Sequence, residues 1–149
     1  MNIIDENKNS RILLEDILSR PLFAHLSTAD ENGPRESPLW FLWDEGSIWM
    51  LGSYQSNSFT KRIETEPRCA IGIVDFNVET GLVHHVGLRG KAVLEAQQED
   101  RVRKLLSKYM GDFERWDPRF HGVLGDLDWL FVRFNPETVV VRDQSYQLR

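Results

Sequence analysis

Short apolar runs separated by turn signals are the feature that most constrains how this chain can fold. Between positions 22 and 53 the sequence contains LFAHLSTA, ESPLWFLW and SIWMLGS, and the turn signals between them include DENGP and DEG. Aromatic and β-branched runs bounded by Gly, Pro, Asn and Asp are typical of strands joined by tight turns. This stretch therefore predicts three consecutive antiparallel strands joined by hairpins.

Further strand patterns follow along the chain. The segments are RCAIGIVDF, LVHHVGLRGKAVLEA, and then WLFVRF and TVVVRD on either side of the Asn135-Pro136-Glu137 turn. The long second segment alternates with a period of two residues. This alternation predicts a core face with His84, Val86, Leu88, Ala92 and Leu94, and a polar face with His85, Arg89 and Lys91. The total is six or seven antiparallel strands, as in a small barrel or sandwich.

Three amphipathic helices are predicted between these strands. Residues 11–20 end at Pro21, residues 57–66 end before Pro67, and residues 98–110 end at Gly111. Proline cannot continue a helix, and glycine favours the backbone conformation that closes one. The fold class is thus mainly β, with peripheral helices and an irregular loop over residues 112–128.

Composition limits the class of protein. A chain of 149 residues that is 41% hydrophobic can form one core, so we expect a single domain over residues 1–149. The net charge of −5, with cations spread along the chain, argues against nucleic-acid binding. No apolar run has membrane-spanning length, and we expect a cytoplasmic protein. No metal site is expected, because His84 and His85 point to opposite faces of a strand.

The segment SNSFTKR is the clearest candidate for a binding site. Ser56, Ser58 and Thr60 offer hydroxyl donors at the start of a predicted helix, and Lys61 and Arg62 add positive charge. Free N–H groups and the helix dipole favour an anion there, and phosphate fits best. The alternative is an ordinary helix cap formed by Ser56 or Asn57, with solvated cations.

The strands before this helix extend the argument. Gly52 would let a flat ring lie close to the backbone, and Pro38 interrupts the hydrogen bonding of its strand beside the aromatic Trp40. A phosphate next to a flat ring indicates a nucleotide-like cofactor.

From about Leu14 to about Tyr109, the chain resembles the pyridoxamine 5′-phosphate oxidase-like split β-barrels that bind FMN. The resemblance is carried by LSTADENGPRESPLWFLWDEGSIWML, by SNSFTKRIETEPRCAIGIVDF and by VGLRGKAVLE. It implies a split β-barrel, a homodimer with two sites at the subunit interface, and an oxidoreductase acting on a small molecule with a donor such as NAD(P)H.

The resemblance also implies a set of cofactor-binding residues. The flavin ring would lie on two strands and its phosphate at the start of the helix. Separately from the resemblance, an aromatic of the long 112–128 loop is expected to cover the ring. The ring residues are Ser37, Pro38, Leu39, Trp40, Leu51, Gly52 and Ser53; the phosphate residues are Ser56, Ser58, Thr60 and Lys61; the covering residue is Trp116.

The sequence departs from the family at two points. Many relatives place a lysine eight residues before the strand-opening proline, where this chain has Phe59. The C-terminal RDQSYQLR lacks the closing motif of the vitamin B6 oxidases, so a true pyridoxamine phosphate oxidase is not expected. No catalytic side-chain set is recognisable. The alternatives are a flavin sensor or store without turnover, an F420 or heme binder on the same fold, and an interaction domain without a cofactor.

Overall fold

The computed structural model describes residues 1–149 as one curved, mostly antiparallel sheet with helices at its periphery. All eight strands belong to the same sheet, in the order β3-β2-β6-β7-β8-β5-β4, and β1 pairs in parallel with β8. The elements are β1 Asn2–Ile3, α1 Ser10–Ser19, β2 Phe23–Asp30, β3 Gly33–Trp40, β4 Leu42–Asp44, β5 Ser47–Ser53, α2 Ser58–Thr65, β6 Arg68–Asn77, β7 Leu82–Glu95, α3 Glu99–Met110, a 3₁₀ turn Phe113–Arg115, α4 Pro118–His121 and β8 Trp129–Asp143.

The sequence-based prediction of the elements is confirmed in its main lines. The three predicted helices are α1, α2 and α3, each within a residue or so of its predicted bounds. In β7, Val86, Leu88 and Ala92 are buried while Arg89 and Lys91 are exposed, as the alternation predicts. No helix is long and apolar enough to cross a membrane.

The prediction of three strands joined by hairpins was wrong at one place. ESPLWFLW forms two strands, because the chain turns inward at Phe41, whose side chain is fully buried. The stretch from Phe23 to Ser53 thus contains two separate hairpins. One is β2–β3; the other is β4–β5, whose two-residue turn places Glu45 and Gly46 at positive φ of 52° and 74°. A turn with two positive φ values matches the twist of the strands that it joins.

The C-terminal prediction of two strands was also wrong. WLFVRF and TVVVRD belong to the single strand β8, which pairs with β7 along nearly its whole length. Between Arg89, which pairs with Thr138, and Gly90, which pairs with Pro136, a bulge absorbs the one extra residue, Glu137. A bulge accommodates an extra residue and a missing N–H donor without ending the strand.

Two clusters of buried residues stabilise the fold. The larger one fills the barrel and packs α1 and α2 against the sheet, for example through Leu18, Phe59 and Phe134. The smaller one joins α3 and the 112–128 loop to the outside of β5 and β8, around Trp49 and Phe131. The two clusters fix the helices on different sides of the sheet.

The C-terminal end of α3 secures the break between β3 and β4. The Tyr109 hydroxyl donates to the carbonyl oxygen of Leu22 at 2.6 Å and accepts from the N–H of Phe41 at 3.0 Å. The Lys108 Nζ donates to the carbonyl oxygens of Phe41 at 2.9 Å and Leu18 at 3.3 Å. These contacts satisfy the main-chain groups of Phe41 at the break, and they tie the end of α1 and the start of β2 to the same helix end.

Lys108 makes the stability of the fold depend on pH. Burial lowers the pKa of Lys108 from 10.5 to about 8. Between these values the unfolded chain binds more protons than the folded one, so we expect the free energy of unfolding to rise with pH from about 8 to 10. Tyr109 opposes this only at higher pH, because burial raises its pKa to about 12. Urea unfolding of the wild type and of Lys108→Met at several pH values tests this. An equal rise in Lys108→Met would contradict it.

Candidate functional site

An opening between two strand edges is the main feature of the candidate site. β3 pairs only with β2, and the Leu51–Ser53 end of β5 pairs only with β8. β3 and β5 approach each other across the opening, with main-chain groups that no other strand satisfies on that side. This is the split of the barrel. The predicted ring residues Ser37 to Trp40 and Leu51 to Ser53 all lie on these two strand segments.

An apolar cleft of about 510 Å³ adjoins this opening. Nine of its eleven lining residues are hydrophobic, and volumes of this size are typical of small-molecule sites. Four of the predicted ring residues line it, together with side chains from β2, α3, β8 and the 112–128 loop. The lining is Phe23, Pro38, Leu39, Trp40, Leu51, Leu105, Leu106, Arg119, Phe120, Val123 and Trp129.

Trp40 is the central aromatic residue of the cleft. Its ring stacks on Tyr109, with 4.6 Å between centroids and 3° between planes. It also stacks on Phe120 at 5.4 Å and 21°. Stacking of this kind adds to the energy of burial and fixes the orientation of the rings. The cleft wall is therefore held in place before any ligand arrives.

The start of α2 lies just beyond β5 and leaves main-chain donors free. The N–H groups of Ser58 and Phe59 have no hydrogen-bond partner within the chain, and no side chain caps this helix. The Asn57 side chain accepts instead from the N–H of Ser53, at 2.7 Å. Ser56, Ser58 and Lys61 are exposed beside these donors. The arrangement suits an anion.

Arg62 links this helix to the sheet. Its Nε donates to the Thr28 hydroxyl on β2 at 2.8 Å, and its Nη1 donates to the Ser58 hydroxyl at 2.9 Å. The guanidinium therefore lies along the exposed side of α2 with part of its donor set engaged. It brings positive charge next to Ser58.

Three predicted contact residues shape the turn between β5 and α2. Thr60 is fully buried and donates to the carbonyl of Asn57 at 2.8 Å. Ser53 is buried and donates to the Asp128 carboxylate. At Gly52 the space that a Cβ would need is taken by the Phe59 ring, at 2.8 Å. The sequence predicts that Gly52 makes room for the ring of a ligand. In the structure, Gly52 makes room for the Phe59 side chain of α2.

Trp116 lies outside the cleft lining. Its side chain is 3% exposed in the smaller buried cluster, its Nε1 donates to the carbonyl of Gly111 at 3.0 Å, and it packs edge-on against Phe113. Phe120 from the same loop lines the cleft in its place. An irregular loop has no regular side-chain period, so the sequence does not show which aromatic residue of the 112–128 loop faces the cleft.

Asp128 is a site residue that the sequence argument missed. Its carboxylate accepts from the Ser53 hydroxyl and from the N–H of Gln55 at 3.0 Å, and its carbonyl accepts from the N–H of Tyr54 at 2.9 Å. One residue thus holds the whole turn that leads into α2. The partners are more than 70 residues apart in sequence, and no local motif signals such a contact.

The fold and the opening between the β3 and β5 edges define a class of protein, the split β-barrels. A family model described as pyridoxamine 5′-phosphate oxidase matches residues 13–141. The chain belongs to this family. Searching curated protein sequences gives no match.

Solved structures similar to this one share its fold at low sequence identity. A conserved hypothetical protein of Mycobacterium tuberculosis has a TM-score of 0.73 and 16% identity, covering 94% of this chain and 90% of that one. A heme storage protein, HutZ, of Vibrio cholerae has a TM-score of 0.68 and 17% identity, covering 91% and 96%. An FAD-binding protein of Mesorhizobium loti has a TM-score of 0.63 and 18% identity, covering 88% and 92%.

The packing at Gly52 gives a direct test of the site geometry. We expect Gly52→Ala to lower the free energy of unfolding by about 1–3 kcal/mol, because the new Cβ must displace Phe59 or the backbone of β5. The control is Gly122→Ala, where the nearest atom to a new Cβ is the Arg119 carbonyl oxygen, at an ordinary contact distance of 3.7 Å. Urea unfolding curves measure both variants. Equal curves for the two would show that the turn can move freely.

Proposed function

We propose that this protein is an FMN-dependent oxidoreductase acting on a small molecule. The observation that carries the proposal is the position of the opening between β3 and β5, which leads to free main-chain donors at the start of α2. A planar ring in the opening and a phosphate at the helix match the two ends of a flavin mononucleotide. The FAD-binding relative with the same fold adds support.

The strand edges suit the polar rim of a flavin ring. N–H and C=O groups at an unpaired edge retain their hydrogen-bonding capacity, and the rim of a flavin offers both donors and acceptors. The apolar faces of the ring would then meet Leu39, Trp40 and Leu51 of the cleft. The residues present therefore fit the ring through main chain at its rim and side chains at its face.

The phosphate end relies on a different cation from that of many relatives. Phe59 stands at the position of their lysine and is buried, so it cannot supply charge. Lys61 is exposed two residues later, and Arg62 lies beside Ser58. We therefore assign the phosphate to the N–H groups of Ser58 and Phe59, the hydroxyls of Ser56 and Ser58, and the Lys61 ammonium.

Bound FMN would supply hydride or single-electron transfer, with an electron donor such as NAD(P)H. The chain's own groups would orient the ring through the β3 and β5 edges and keep water from its face through the apolar cleft. Asp128 and Arg62 would hold the phosphate end in register with the ring end, because each links α2 or its turn to another part of the sheet.

A non-turnover flavin store, or a heme or F420 binder, remains an alternative within the fold. The cleft lining contains no histidine, cysteine or methionine, the residues that commonly supply an axial bond to heme iron. Within one copy of the chain, this observation favours a flavin over a heme at the opening beside the cleft. The visible absorption spectrum of the purified protein separates flavin, F420 and heme, and reduction of the bound flavin by NAD(P)H separates an enzyme from a store.

We also propose a homodimer formed through the outer face of β6 and β7. Gly72 and Gly87 are directly paired and leave this face flat, and Val74 and Phe76 beside them are 54% and 56% exposed. His85 and Arg89 lie on the same face. A flat, partly apolar sheet face suits a self-complementary contact. The second copy would then bring His85 and Arg89 toward the flavin site.

Lys61→Ala tests the phosphate assignment. We expect roughly tenfold weaker FMN binding, which is the scale of one charge-assisted contact. Riboflavin, which has the ring but no phosphate, should bind the variant and the wild type equally. Flavin fluorescence titration measures both ligands.

The control for this test is Lys8→Ala, an exposed lysine on the N-terminal segment away from α2. Its FMN affinity should match the wild type. Unchanged FMN affinity in both Lys61→Ala and Ser58→Ala would refute the phosphate assignment. Failure of the wild type to bind FMN at all would refute the proposed function.

Val74→Asp tests the dimer. We expect the variant to sediment as a monomer and to lose FMN affinity, because a buried unpaired charge destabilises the contact and the site would lose its second copy. Ile12→Asp is the control, since Ile12 is 73% exposed on α1, away from this face. A wild type that sediments as a monomer would refute the dimer.

A further inference from the structure

We propose that the apolar cleft beside Trp40 takes a small aromatic carboxylate, whose acid group pairs with Arg119. The inference rests on the proposed function in one respect, since it names the substrate class for that site. The cleft is described by its own geometry, so the inference can be tested with or without a bound flavin.

The lining of the cleft combines one charged side chain with apolar residues. Arg119 is the only charged side chain that lines the cleft, and apart from Pro38 the other lining residues are hydrophobic. Its walls include the stacked rings of Trp40 and Phe120. Such a site binds the flat apolar part of a ligand by burial and fixes its direction by the single polar group.

Arg119 is held at the rim of the cleft. Its guanidinium lies over the Phe120 ring, 4.9 Å from the centroid, while the side chain remains 77% exposed. A charge stacked on a ring that lines the cleft stays near the mouth. The guanidinium therefore reaches an acid group at the entrance and leaves the interior apolar.

Asp117 leaves most of this charge available. Its Oδ1 accepts from the N–H of Arg119 at 3.1 Å, which caps the short helix α4, and lies 3.7 Å from Arg119 Nε. The two Nη groups of Arg119 make no hydrogen bond within the chain. A fork of N–H donors without a partner in the chain matches a carboxylate.

The segment that carries these groups is pre-organised. The Gln97 amide nitrogen donates to the carbonyls of Val123, Asp126 and Trp129, at 2.8, 3.2 and 3.3 Å, and its oxygen accepts from Gly125 N at 2.8 Å. One side chain thus ties the end of the 112–128 loop to the start of β8. The cleft does not need to form around its ligand, which favours affinity.

A monocarboxylate fits better than a phosphate ester or a cation. One guanidinium partly offset by Asp117 balances a single negative charge, whereas a dianion would keep an unpaired charge next to apolar walls. A cationic ligand would meet Arg119 at the mouth and no acid group inside. A neutral aromatic would gain only the burial.

The test compares matched ligands by isothermal titration calorimetry on the full chain, with and without FMN. We expect 2-naphthoate to bind roughly tenfold more tightly than 2-naphthalenemethanol, the scale of one charge-assisted pair. In Arg119→Gln the preference should disappear while the affinity for the alcohol stays the same. Arg119→Lys should keep part of it. Arg115→Gln, an exposed arginine of the same loop outside the cleft, should behave as wild type.

Each outcome decides one question. Equal binding of the two ligands by the wild type, or a preference that survives in Arg119→Gln, would overturn the inference. Displacement of 2-naphthoate by FMN would also overturn it, because the cleft would then hold the flavin ring and not the substrate. Absence of FMN binding with the charge preference intact would overturn the proposed function and leave the carboxylate site standing.

Discussion

The hydrogen bonds that link the Tyr109 and Lys108 side chains to the main chain of Phe41 are the contacts on which the rest of the structure depends. At Phe41 the chain leaves β3, at one end of the sheet order, and enters β4, at the other end. If the two segments formed one continuous strand, β3 and β4 could not lie at opposite ends of the sheet order. The opening between the β3 and β5 edges would then not form. The inward turn buries Phe41 in the core, and α3 supplies the partners that its main chain loses. The opening that forms the candidate site thus depends on the end of α3, which supplies hydrogen-bond partners to the main chain at the break between β3 and β4.

Local patterns in the sequence were enough to predict most of the elements and the faces of β7. Periodicity, turn residues and helix-ending residues act over a few positions, and these positions are adjacent in the chain. The break at Phe41 could not be predicted in this way, because the side chain that accepts from its N–H is Tyr109, 68 residues later. The continuity of β8 through Pro136 was missed for a similar reason, since the partner strand decides whether a bulge can absorb the interruption.

The candidate site shows the same division. The residues that the sequence predicts for a ring lie on the two strand edges that border the opening, and the exposed residues predicted for a phosphate lie at the start of α2. Sequence reasoning did not show that Gly52 and Thr60 pack against α2 and its turn, because the identity of a residue does not tell whether it faces a ligand or a neighbouring helix. It missed Asp128 because the residue acts on a turn more than 70 positions earlier. Long-range hydrogen bonds, more than the residues of the SNSFTKR segment itself, fix the positions of the parts of the candidate site relative to one another.

The unpaired edge of β3 has a cost that its proline residues reduce. A strand with free N–H and C=O groups is a template for another chain's strand, and so a risk for aggregation. Pro34 and Pro38 both lie on β3 and remove donors from it. The same open edge that would accept a flat ring can also pair with a strand of another chain. A ligand bound there would therefore also reduce aggregation. Cofactor supply and solubility would then be linked through one strand.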